Sequence, residues 1–123
     1  MIIGGEAKNS KMKLFAGLRK LREFEKAQLP FLRSVIDFDI VIEIGYEQER
    51  SQPMTVKQLL LLDICSRATA RRKLARLIEV GIIIPRKTLD DRRATKLVVA
   101  PSAIKLFGKY GGAIAAISVS HFK

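Results

Sequence analysis

A chain of 123 residues, 48% apolar and 28% charged, has the length of one domain and enough Leu, Ile and Val for a core, which excludes a disordered basic tail. Its formal charge of +11 points to an acidic partner, nucleic acid ahead of a membrane surface, and no run of about 18 uncharged apolar residues offers a membrane span. The single cysteine, Cys65, has no partner for an internal disulfide and the first residues carry no secretory leader pattern, so a reducing, cytoplasmic setting is expected.

Lys11 to Lys26 reads as an amphipathic helix, with Leu14, Phe15, Leu18 and Leu21 on one face and Lys or Arg between them. Pro30 suits the first position of a second helix. Phe31 to Gly45 is densely apolar, as a central buried helix is, with Gly45 placed to end it and a polar loop from Tyr46 to Gln52. Thr55 and Gln58 have capping-box spacing and open a short helix, whose Leu59 to Leu62 run reads as buried on several sides. Asp63-Ile64-Cys65 makes a brief connection. Ser66 is a good N-cap for a helix to Val80, with Ala70, Leu74, Leu77 and Ile78 facing inward and Gly81 placed to stop it in a left-handed cap. Ile82-Ile83-Ile84 favours a strand, Thr88 to Arg93 a charged loop, and Ala94 to Val99 a returning strand. Ser102 to Phe122 is again helical. The order is helix, helix, short helix, tight turn, basic helix, hairpin, helix. It predicts a mainly α fold with a small β-hairpin, a winged helix-turn-helix with flanking helices. One domain over 1–123 is expected, with an N-terminal dimerisation helix at 7–30, the winged helix-turn-helix at 31–100 and a C-terminal dimerisation helix at 101–123.

The charge is clustered. Residues 1–30 are net +4, 31–65 net −3, 66–96 net +7 and 97–123 net +3. A clustered patch suits phosphate binding, which releases counterions, although a charge run taken alone is more often a solvated helix face. On the helix from Ser66, the residues Arg67, Ala68, Thr69 and Arg71 are placed for base edges. Arg pairs with guanine, and the Thr and Ala methyl groups suit thymine. Arg72, Lys73 and Arg76 fall on the adjoining surface, where phosphates are the natural contact. Small residues at Ala68 and Ala75 let the helix approach a groove floor. Arg86, Lys87, Arg92 and Arg93 supply the hairpin, whose arginines suit a narrow minor groove, with Asp90 or Asp91 able to hold one in position.

At these residues the sequence resembles the MarR family of winged-helix transcription regulators. The resemblance runs from about Pro53 to Val99 and rests on Ser66-Arg67-Ala68-Thr69, on Leu77 before Gly81-Ile82-Ile83, and on Asp91-Arg92-Arg93-Ala94 followed by Leu97-Val98-Val99. It implies a homodimer on double-stranded DNA, with the helix from Ser66 in the major groove and Arg92 or Arg93 in the minor groove. It also implies dimer contacts from the first and last helices, and leaves open a small-molecule effector that no residue pattern identifies. The sequence departs from the family at Asp63, where a leucine usually packs, at Ile64, where a glycine usually turns, and at Lys73, a commonly apolar position. Ala100-Pro101-Ser102 replaces the usual Thr-based cap.

In the last helix, Phe107, Tyr110, Ile114 and Ile117 follow heptad spacing, which suggests a shared interface with Leu14, Phe15, Leu18 and Leu21 of a partner chain. Gly111 and Gly112 call for a packing reason or a break there. Cys65 reads as a small buried hydrophobe, with oxidant sensing the less favoured alternative. No nucleophile–base constellation, phosphate-binding glycine loop or metal-ligand spacing is present, so no enzyme, cofactor or metal is expected. The alternatives to a DNA-binding regulator are a winged-helix protein-interaction module and a DNA-binding factor of the plasmid or phage replication type.

Overall fold

The computed structural model describes residues 13–87 and 95–122, with the side chains of the last helix described to 117. In chain order these form α1 (Leu14–Gln28), α2 (Val35–Glu49), α3 (Val56–Leu61), α4 (Arg67–Glu79), β1 (Ile83–Lys87), β2 (Thr95–Val99) and α5 (Pro101–Phe122). The chain divides into two compact units, residues 31–104 and residues 1–30 with 105–123.

In the unit 31–104, α2 begins at Val35 rather than behind Pro30. Ser34 is its N-cap: the Oγ accepts from the Asp37 amide at 3.3 Å and Asp37 Oδ2 accepts from the Ser34 amide at 3.1 Å. The helix also runs through Gly45 to Glu49, where a loop from Tyr46 is the sequence expectation. Burial of Ile40, Val41 and Ile44 outweighs the cost of about 1 kcal/mol for a helical glycine. The chain turns instead at Ser51, in the left-handed region at φ +61°.

The short α3 is opened by the capping box expected of it, with Gln58 N donating to Thr55 Oγ1 at 3.2 Å and Thr55 N to Gln58 Oε1 at 2.8 Å. Its leucine run is not buried all round. Leu59 and Leu60 enter the core while Leu61 and Leu62 are 59% and 45% exposed, because a helix of six residues has one side to bury. The tight turn that follows is made by Asp63 at φ +53°, not at Ile64, and aspartate tolerates that conformation better than a β-branched residue.

Ser66 Oγ caps α4 at the Thr69 amide (3.2 Å), and Gly81 ends it at φ +80°. Gly81 N donates to Ile78 O (3.0 Å) and Ile82 N to Leu77 O (2.9 Å), the paired bonds of a Schellman cap, with Leu77 and Ile82 both buried beside it. The antiparallel hairpin registers Ile83 on Val99, Pro85 on Leu97, Arg86 on Lys96 and Lys87 on Thr95. It is anchored by Leu97 N to Met54 O (2.8 Å), Val99 N to Gln48 Oε1 (2.7 Å) and Ala100 N to Ile82 O (2.8 Å). Ile40, Ile44, Leu59, Leu77, Ile83 and Leu97, at most 2% exposed, form a core drawn from α2, α3, α4 and both strands. Ala100 O accepts from Ile104 N (3.0 Å), so α5 starts at Pro101, whose missing N–H is no loss there.

In the other unit, α1 and the later part of α5 meet through Tyr110, which donates to Glu25 Oε2 at 2.7 Å and lies 5.7 Å from the Phe24 ring centre. Gly111 and Gly112 neither break α5 nor fill a tight contact, since a Cβ at either would meet nothing within 4 Å. Among the described residues, no helix is long and apolar enough to cross a membrane.

Candidate nucleic-acid interface

The candidate surface is built on α4. Its inner row, Ala70, Leu74 and Leu77, is fixed in the core by spacings of four and three, which turns Ala68, Arg71, Arg72 and Ala75 outward, while Arg67 stands clear of the core as the first residue of the helix. All five are exposed, and no side-chain hydrogen bond or ion pair among the described residues engages Arg67, Arg71 or Arg72. Ser66 is exposed and Thr69 half-buried. The Ser66 hydroxyl donates to Thr69 Oγ1 at 2.9 Å while capping the helix, so both hydroxyls are engaged at the helix start.

Two of the residues expected at phosphates are engaged within the chain. Lys73 and Arg76 turn toward α2 rather than outward. Lys73 Nζ lies 3.1 Å from Ser34 Oγ and 3.7 Å from Asp37 Oδ1, and Arg76 Nη2 donates to Phe31 O at 2.6 Å and to Asp37 Oδ2 at 3.2 Å. Their side chains are 17% and 21% exposed against a fully buried Asp37. The reason is electrostatic: a carboxylate closed off from water needs cations, and these are the two that α4 presents to it. The lysine at a commonly apolar position thereby has its explanation.

On the hairpin, Arg86 and Lys87 are both exposed, as expected. Arg92 and Arg93, with Asp90 and Asp91, lie outside the described residues. The register adds a residue that the linear pattern missed. Lys96 stands directly opposite Arg86, and like charges facing across a pair are unfavourable without an anion between them. The strand expected over Ala94 to Val99 already held Lys96, but only the register puts it opposite Arg86. Lys57, exposed in the first turn of α3, is a second cation that was overlooked.

Cys65, expected to be buried, is half-buried in the turn ahead of Ser66. Of the expected dimer residues, Leu14, Phe15, Leu18 and Ile114 are exposed, Phe15 at 80%. Leu21, Phe107, Tyr110 and Ile117 are half-buried, and Tyr110 is engaged within the chain by Glu25 and Phe24. Burial, aided by the hydrogen bond to Glu25 and its charge, pushes the Tyr110 phenol up to about 12. Among the described residues, no group of three or more His, Cys, Asp or Glu is placed to hold a metal ion.

No family model matches the sequence, and no curated protein does. Solved structures match over most of the chain. A structure of MarR is 21% identical, with a TM-score of 0.56 over 85% of this chain and 74% of that one. A mutant of MepR from multidrug-resistant S. aureus is 13% identical, with a TM-score of 0.63 over 95% of this chain and 81% of that one. A mutant of MarR from E. coli, complexed with operator DNA, is 14% identical, with a TM-score of 0.54 over 82% and 70%. The elements, their order and these likenesses agree: the chain has the winged helix-turn-helix fold of MarR-family transcriptional regulators.

Proposed function

We propose that the chain is a sequence-specific double-stranded DNA-binding transcriptional regulator acting as a homodimer, with α4 in the major groove and the hairpin at the minor groove. The observation that carries the reading is the outward face of α4. Three exposed arginines without partners among the described residues flank two alanines small enough to allow close approach. Arg67 and Arg71, one turn apart near the helix start, are the base-reading candidates, and Arg72 with Arg86, Lys87 and Lys96 forms the phosphate-contacting surround. The wing arginines Arg92 and Arg93 complete the surface on the expectation drawn from the sequence. A neighbour of like fold was solved in complex with operator DNA, which supports DNA as the partner. The exposed apolar residues of α1 and α5 supply the shared interface.

Selection of bound sequences from a random duplex pool tests the reading. A palindromic consensus with half-sites about one helical turn apart is expected, as for a two-fold dimer. Arg71→Ala should relax preference at one position of each half-site by about 1–3 kcal/mol, whereas Arg72→Ala should weaken all sequences alike. Random duplexes bound as tightly as selected ones would refute sequence-specific regulation, and no shift of any duplex at low salt would favour a protein-interaction module.

A further inference from the structure

Asp37 is the one buried charged or polar side chain among the described residues. Its Oδ2 accepts from the Arg33 amide (2.8 Å), the Ser34 amide (3.1 Å) and Arg76 Nη2 (3.2 Å). Its Oδ1 has no hydrogen bond and faces Lys73 Nζ at 3.7 Å. One carboxylate thus caps α2 and grips two cations three residues apart on α4. The grip is largely shielded from water and is therefore little screened by salt. A buried ion pair is a poor device for stability alone, since apolar residues of similar size serve as well. What it does change is the charge that α4 offers to a ligand: Arg67, Arg71 and Arg72 have no side-chain partner among the described residues while Lys73 and Arg76 are held.

We propose that Asp37 is a positioning residue for DNA recognition, which withholds Lys73 and Arg76 from the phosphate backbone and fixes α4 on α2. The inference rests on the DNA-binding reading above. With two cations of each recognition helix withheld, sequence-independent attraction is limited, and the free arginines select the site. The family resemblance does not supply this arrangement, because it depends on a lysine at position 73.

Asp37→Asn separates the roles. The amide keeps an oxygen for the Arg33 and Ser34 N–H groups and places NH₂ where Oδ1 faced Lys73. Fluorescence anisotropy on a random-sequence duplex gives the slope of log K against log salt. If Lys73 alone reaches a phosphate the slope steepens by about 0.9 for each α4 on the duplex, and by about 1.8 if Arg76 also leaves the Phe31 carbonyl, an added loss of about threefold to tenfold between 50 and 200 mM salt. Adding Lys73→Met and Arg76→Met to Asp37→Asn should restore the wild-type slope. This triple variant, whose pocket is neutral throughout, also serves if the single variant does not fold: a slope below wild type would show that the two cations already touch phosphate, and would overturn the proposal. An unchanged slope in folded Asp37→Asn overturns it as well.

A readout free of DNA is the rate at which the Lys73 amine is acylated, mapped by mass spectrometry against exposed Lys57. Lys73 should react more slowly in the wild type and at a rate similar to Lys57 in Asp37→Asn, and equal rates in the wild type overturn the proposal. A wild-type protein that shifts no duplex at low salt overturns the DNA reading and this proposal together. Sequence-selective binding with an unchanged slope in Asp37→Asn overturns this proposal alone.

Discussion

Gly81 joins the proposed recognition helix to the hairpin, and the structure isolates what the glycine is needed for. Its φ is +80°, and a Cβ built there meets nothing within 4 Å. Gly81→Ala therefore introduces no clash and leaves the bonds to Ile78 O and Leu77 O in place. The whole cost is the left-handed backbone, about 1–2 kcal/mol for a residue with a Cβ. Stiffening the unfolded chain returns about 0.4–1 kcal/mol, so the net loss should be about 0.5–1 kcal/mol. Gly45 is the control. It lies inside α2 with helical backbone, and a Cβ there would touch Val99 Cγ2 at an ordinary 3.6 Å. Gly45→Ala should therefore gain about 0.5–1 kcal/mol from helix propensity. The same substitution should thus move stability in opposite directions at two positions. Thermal and urea denaturation followed by circular dichroism should show Tm falling by a few degrees for the first and rising for the second, at about 4 °C per kcal/mol for a chain of this length. A neutral or stabilising Gly81→Ala would refute the argument from backbone conformation. A loss above about 3 kcal/mol would show that a contact, not φ alone, decides the position.

Leu77, fully buried between α4 and the hairpin, should cost about 2–5 kcal/mol when changed to alanine. The 59% exposed Leu61 should cost under about 0.5 kcal/mol, and equal losses in urea titrations would contradict the half-buried α3. The Tyr110 phenol, raised from 10.0 to about 12, favours the neutral form in the folded state. Its contribution is complete below pH 10 and is lost as the pH climbs from 10 through about 12, so Tyr110→Phe should lack that alkaline decline. Wild type and variant with parallel stability curves over that range would refute the hydrogen-bonded, buried setting of the phenol.

The parts of the fold that were legible in the sequence are those written in local chemistry. Thr55 with Gln58, Ser66 and Gly81 each satisfy or redirect backbone groups within a few residues, and the β-branched run at Ile82 to Ile84 needs no distant partner to favour extension. Pro30, taken as the start of the second helix, was the wrong local signal: the reciprocal bonds of Ser34 and Asp37 set the start of α2. Gly45 ends nothing because the burial around it, against Val99 some fifty residues on, outweighs its propensity. The site was legible in its outward half for the same reason: the 3.6-residue period places Arg71 and Arg72, and Arg67 opens the helix behind its Ser66 cap. Its inward half was not, because the fate of Lys73 and Arg76 is set by a carboxylate 36 and 39 residues away. The signal was nevertheless present, as an aspartate inside a dense apolar stretch and a lysine at a commonly apolar position.

Charge counted along a sequence therefore overstates charge available to a ligand, and the register of the hairpin shows the complementary case. Arg86 and Lys96 are placed face to face, a pairing that destabilises a two-stranded sheet by roughly 0.2–1 kcal/mol. No carboxylate among the described residues forms an ion pair with either of them, in contrast to Lys73 and Arg76. A phosphate seated between them would turn the repulsion into two attractions, so an anionic backbone should tighten the hairpin more than it tightens the core. Hydrogen exchange read on the β1 and β2 amides should slow on addition of duplex DNA, and the effect should fade with salt. Lys96→Glu should remove most of that slowing while stabilising the free hairpin, since it pairs with Arg86 in the absence of any ligand. If Lys96→Glu instead left DNA-dependent protection intact, the facing cations would be an incidental feature of the surface, and the hairpin stem would have no part in binding the phosphate backbone.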